Sequence, residues 1–355
     1  MHVHFDKNEM ARVKETYARW WNGTIDRPVI AMQCYNAYPS VETATAPMLS
    51  QENCHDFSYT PKQLIEAWDC DLSDIRFEKD GFPWVNLGGF GPGVLAAMVG
   101  GVLDNSSGAV WFSHGEKTEL KDIHPHYDPN NKWAKRIKDI YYAGLEYWDG
   151  AVIMGMPDLG GVLDVAASLR GTENLLFDLY DDPEEVIRLV GEIETAWHEA
   201  YNDFANVLAP QNAFTDWSGI LSPEKSYILQ CDFCYMISNP MFREFVLPTL
   251  KNDGRKLSNI IYHLDGPGEL KHLDDILAMP EIKAIQWIPG ANNPPISEYP
   301  QVYEKIVAAG KRYWTCGSDD DFINIYSKVG GQPFHRCGYH ADNTEPVKKI
   351  MQYIK

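Results

Sequence analysis

His263 and Asp265 stand two apart in the run NIIYHLD (Asn259–Asp265) and offer an imidazole and a carboxylate. If that run is a strand, both side chains point to one face. A thiolate from Cys337, which ends the run PFHRC (Pro333–Cys337), would join them if a closed barrel brings the last strand beside the first. An N/O/S trio with an open fourth position is how a catalytic zinc is held. The same residues also allow a plainer reading, an Asp that orients a His and a buried Cys with no metal. Asp232 and Gln286 stand at comparable strand ends, with Asp216, Trp217, Trp287 and Cys316. His340, just beyond Cys337, is a spare ligand or acid, or else a surface-loop histidine.

Other motifs carry less. Cys231 and Cys234 form a lone CxxC, and a structural zinc site wants a second pair nearby. They read as buried, hydrophobe-like cysteines. Gly89, Gly91 and Gly93 lack dinucleotide spacing, Pro92 interrupts them, and no Walker lysine follows, so they read as turn glycines.

These residues must be positioned by a sheet. From residue 259 onward, strand-like runs (259–265, 284–288, 312–316, 333–337) alternate with helical spacing near 269–278, 299–309, 320–329 and 344–354. Such alternation argues a parallel sheet with crossover helices. Upstream, Val29–Cys34, Ala151–Met156 and Ala213–Trp217 read as further strands. The best helix follows Asp182 and Pro183, with Glu184 and Glu185 at its positive end. Val186, Val190, Ile193, Trp197, Tyr201 and Phe204 give it one apolar face. Seven or eight strand–helix units favour an α/β fold built as a single (β/α)8 TIM-type barrel over residues 27–355. Residues 1–26 form an N-terminal helical extension. In a barrel, chemistry sits where strands end, at the C-terminal face.

Composition narrows the partners. The 355 residues carry 31 Lys+Arg against 50 Asp+Glu, a net charge of −19. So negative a surface repels phosphate backbones and anionic lipid, which excludes nucleic-acid binding and disfavours membrane surfaces. The start, MHVHFDKNEM, lacks a signal-peptide core, and Val94–Leu103 is far short of the ~18 residues of a transmembrane span. An odd number of cysteines, seven, suits a reducing compartment, so a cytoplasmic enzyme is expected.

Leu169–Val190 (LRGTENLLFDLYDDPEEVIRLV), Ile237–Lys251 (ISNPMFREFVLPTLK), GFGPGVLAAMVGG and YHLDGPGELKHLDDIL together resemble the uroporphyrinogen decarboxylase superfamily. The likeness runs from about Arg27 to the C-terminus and implies one distorted (β/α)8 barrel. Asp74, in Leu72-Ser73-Asp74-Ile75, matches the decarboxylases' catalytic aspartate. Their arginine pair is missing after Arg27-Pro28, and their tyrosine position falls at about Ala167. Burying eight substrate carboxylates without cations is costly, so porphyrinogen decarboxylation is not expected. CGYHADNTEPVKKI (Cys337–Ile350) is similar to an element of the zinc-dependent corrinoid methyltransferases, and His263 matches their first ligand. Asp265 replaces the expected Cys, which makes the site harder.

That resemblance implies zinc held by His263, Asp265 and Cys337, with Asp74, Asp232, Gln286 and His340 as catalytic candidates. The reaction would move a methyl group between a small molecule and a corrinoid carried on a partner protein, because no corrinoid-binding Asp-x-His-x-x-Gly element occurs. Two alternatives stay open. One is a metal-free decarboxylase or lyase using Asp74 and His263 on a small acid; the other is a ligand-binding barrel without chemistry. A homodimer fits a barrel of this size.

Overall fold

A computed structural model of the chain describes residues 1–39, 41, 44–113 and 118–353. The elements begin with α1 (Lys7–Trp21), β1 (Val29–Tyr35), α2 (Pro61–Ser73), β2 (Arg76–Lys79), β3 (Trp84–Val85), α3 (Leu95–Met98), β4 (Val102–Asp104) and β5 (Trp111–Ser113). The middle holds α4 (Lys132–Trp148), β6 (Ile153–Met154), α5 (Val162–Arg170), α6 (Thr172–Asp181), α7 (Pro183–Leu208), β7 (Ser226–Leu229), α8 (Asn239–Met241) and α9 (Leu247–Gly254). The chain closes with β8 (Asn259–Asp265), α10 (Leu273–Leu277), β9 (Ile282–Ile288), α11 (Pro300–Ala308), β10 (Arg312–Thr315), α12 (Asp319–Val329), β11 (Pro333–His340) and α13 (Glu345–Ile350). Ile354, the end expected for the last helix, lies outside the described residues.

Helix starts follow their caps. Thr60 with Gln63, and Ser318 with Asp321, form reciprocal capping boxes that satisfy otherwise orphaned N–H groups of α2 and α12. Pro183 opens α7 as expected, although the Asp182 side chain makes no capping bond. The apolar face of α7, including Val186, Ile193, Trp197 and Phe204, is buried.

The result is an α/β fold around a mostly parallel sheet. Seven strands run in the order β2-β1-β11-β10-β9-β8-β7, all pairs parallel except the short β1–β2 edge. The last strand therefore lies beside the first, Val29 opposite Phe334 through Tyr35 opposite His340. β3 and β6 form a separate parallel pair, extended by bonds from Gly155 N–H to Val85 O and Met156 N–H to Thr215 O. No ring of strands closes by hydrogen bonds among the described residues.

Val29, Ala31, Ile153, Ile228, Ile261, Ala284, Trp314 and Phe334 nevertheless meet in one buried cluster. Tyr17, Trp20 and Trp21 of α1 seal it from the side where β1 and β11 begin. On the other face, Ile30, Met32, Cys34, Cys337 and Tyr339 pack with Phe322 of α12 and Ile350 of α13. Strand alternation sends neighbouring residues to these opposite faces. Among the described residues, no helix is long and apolar enough to cross a membrane.

Candidate functional site

On β8, Ile261 belongs to the inner cluster, so His263 and Asp265 point the same way, toward the C-terminal end of the strands. His263 lies opposite Gln286 in the β8–β9 ladder. Its Nδ1 is 2.5 Å from Gln286 Oε1, an acceptor, so Nδ1 donates and carries the ring proton. Nε2 is left with its lone pair and faces Asp232 Oδ1 at 4.0 Å. Trp217 packs edge-on against the imidazole, centroids 5.3 Å apart. Burial lowers the His263 pKa, which keeps the ring neutral.

Asp232, His263 and Asp265 each place one ligand atom within 4.8 Å of the other two. One neutral imidazole and two carboxylates suit a borderline-to-hard divalent cation. Gln286 supplies the outer hydrogen bond that fixes the tautomer and aim of a ligating histidine.

Cys337 is not part of this group. It sits in the helix-facing cluster with Met32 and Cys34, because on β11 it is Phe334 and Arg336 that face inward. The trio expected from the sequence is therefore not assembled; Asp232 stands where the thiolate was placed. The thiol on the site side is Cys316, just after β10 and near Gln286. His340 and Asp74 lie together in a separate surface depression with Tyr35 and Asn36. His340 Nδ1 contacts the Asn36 amide at 3.1 Å, and the Asp74 carbonyl accepts from Ala37 N–H. His263 is not among the residues that line this depression. His335 is buried and structural, between Asp319, Thr315 and the Phe322 ring. Cys231 and Cys234 are free and buried.

Four charged groups at this mouth were not singled out in the sequence. Asp158, in the loop after β6, accepts from Gly160 N–H. Asp164 on α5 accepts from the N–H groups of Asp232 and Phe233, at 3.1 and 2.8 Å. A Cβ at Gly161 would come within 2.2 Å of Gln230 O and 2.4 Å of Asp164 Oδ2, so glycine is required for this close approach. Burial pushes Asp158, Asp164 and Asp232 up to about 7, helped at Asp164 by Asp232 and at Asp232 by Asp265. Glu269 is fully buried, and neither of its carboxylate oxygens has a well-formed hydrogen bond. Burial drives its pKa well above the usual carboxylate range.

The fourth is Arg336. It donates to Ser218 O at 2.7 Å and lies over the rings of Trp84, Trp314 and Phe334 at 5.4–5.8 Å. Gly219, at φ +64°, leaves room for it; a Cβ there would meet the Arg336 guanidinium at 2.2 Å. Glycines in GMPDLGG (Gly155–Gly161) were the one local sign that Asp158 closes a strand end tightly.

Asp164 and Asp232 also line a cavity of about 750 Å3, whose walls include Gln230, Trp111, Phe112 and Met236. That is the size of a small-molecule site. Among the described lining residues the guanidinium is Arg170, which is held by Asp178 at 2.6 Å. No family model matches the chain, and no curated protein is significantly similar to it.

Proposed function

We propose that this protein is a metal-dependent enzyme acting on a small molecule, with Asp232, His263 and Asp265 holding a divalent cation, zinc foremost. The observation that carries the reading is His263 itself. Gln286 fixes its proton on Nδ1 and turns the free Nε2 toward two carboxylates, beside a cavity of about 750 Å3. When bound, the cation supplies Lewis acidity for a heteroatom of the substrate. Asp265 and Asp232 balance its charge, and Gln286 keeps the imidazole aimed. Trp111 and Phe112 form an aromatic part of the cavity wall.

A thiolate-rich zinc site does not fit, because Cys337 faces the helices. The site-facing thiol, Cys316, remains outside the metal group. The reaction class rests on the sequence resemblance: transfer of a methyl group between the bound small molecule and a corrinoid on a partner protein. The fold belongs to the same reading, a (β/α)8 barrel, supported by β11 lying beside β1 and by inner side chains from β1, β6 and β7–β11 meeting in one cluster.

The test is elemental analysis of chelator-free protein together with its His263→Ala and Cys337→Ser forms. Metal content that drops by one equivalent in His263→Ala and stays at the wild-type level in Cys337→Ser is expected. A metal-free wild type, or loss in Cys337→Ser, would overturn the site. Methylcobalamin demethylation by a panel of small thiols then tests the reaction class.

A further inference from the structure

A second histidine meets two carboxylates away from the mouth. Glu194 and His198 stand one turn apart on α7, so their side chains leave the same face, and Asp253 reaches them from α9. Their ligand atoms lie within 4.8 Å of one another. His198 Nε2 is 2.9 Å from Asp253 Oδ1 and 4.0 Å from Glu194 Oε1. The side chains of His198 and Asp253 are only 7% and 5% exposed. Both atoms are sealed from solvent and serve as each other's close partner, in a contact that falls short of ideal hydrogen-bond alignment. The separation suits an attraction while the direction does not suit an N–H aimed at an oxygen. The Asn252 amide donates to Glu194 Oε1 and holds that carboxylate in place.

We propose that Glu194, His198 and Asp253 form a second, buried site for a divalent cation such as zinc or manganese. A cation placed among these atoms uses the imidazole lone pair directly and removes the misalignment. Two carboxylates also exceed the charge of one imidazole, and Lys256 offsets them only through space. A gap of about 10 Å3 reaches Asp253 between Trp197 and Thr249. It has roughly the volume of one water. The N/O donor set is of the kind that takes zinc or manganese. The gap also touches Gly160, Gly161 and Gln230, which carry the wall of the main cavity. The site thus ties α7 to α9 directly behind that wall and has a structural role.

The experiment uses the full chain carrying His263→Ala, so that this site and the mouth site fail separately. The protein is stripped with chelator and titrated with zinc chloride or manganese chloride, reading stoichiometry and melting temperature. One equivalent of metal and a melting temperature raised by several degrees are expected, since a ligand that binds only the native state stabilises it. Adding Glu194→Gln, a shape-preserving change, should abolish both. No binding by the His263→Ala chain, or binding unchanged by Glu194→Gln, would overturn the proposal and leave a plain His–Asp pair. If Glu194→Gln disturbs the circular dichroism spectrum, Asp253→Asn serves in the same assay with the same expected loss.

Discussion

Two trios in this molecule use the same chemical groups, one histidine and two carboxylates, in opposite settings. Asp232, His263 and Asp265 end strands or begin the turn after one, and Asp232 is about half exposed beside a cavity. Glu194, His198 and Asp253 lie on two packed helices, with the His and Asp almost sealed. Ligand identity is the same in both, so access decides the role. A ligand set open on one side can take a substrate atom, whereas a closed set can only hold helices together. The support also differs: His263 is aimed by Gln286 across a ladder, while Glu194 is held by Asn252, the residue next to Asp253.

Substitutions should break this symmetry. Asp253→Ala leaves a buried imidazole beside Glu194 without its main partner, which costs on the order of 3–5 kcal/mol, readable by denaturant unfolding. A cost below about 1 kcal/mol would mean the helix trio contributes no more than a surface pair. Gln286→Ala frees the His263 ring without touching the ligands. Metal affinity at the mouth should fall by roughly 10–100-fold while the fold stays intact, as titration calorimetry would show.

The pH response sharpens the contrast further. Asp158, Asp164 and Asp232 keep their protons to about pH 7 in the native chain but release them near pH 4 when unfolded. Between those values the native state binds more protons, so stability of metal-free protein must fall as pH rises from about 4 through 7. Melting temperature against pH should slope downward there, and metal affinity should climb over the same range as the carboxylates ionise. An upward slope would contradict these assignments. Asp232→Asn removes one of these raised carboxylates, so metal-free protein should be more stable than the wild type at neutral pH and little changed near pH 4. The downward pH slope should become shallower.

The strands from residue 259 onward were legible because each is a short apolar run followed by a helix of its own; β8 matches its expected span of 259–265. Earlier strands were blurred by loops. Only Ile153–Met154 forms within the expected 151–156, and Ala213–Trp217 contributes an isolated bridge from Phe214 to Ser222 instead of a strand. Within the site, His263, Asp265, Gln286 and Asp232 were readable from strand ends. Cys337 was not, because a one-residue step along β11 decides which face a side chain takes, and PFHRC contains apolar residues on both. Asp164, Glu269 and Arg336 look like ordinary charged residues in the sequence; only packing reveals that each is enclosed.

The most direct measurement of the central claim is anomalous diffraction at the zinc edge from crystals grown with zinc chloride. The account expects a peak about 2.0–2.2 Å from His263 Nε2 and from carboxylate oxygens of Asp232 and Asp265. A mouth without a peak, or a peak beside Cys337 on the helix-facing side of β11, would contradict it.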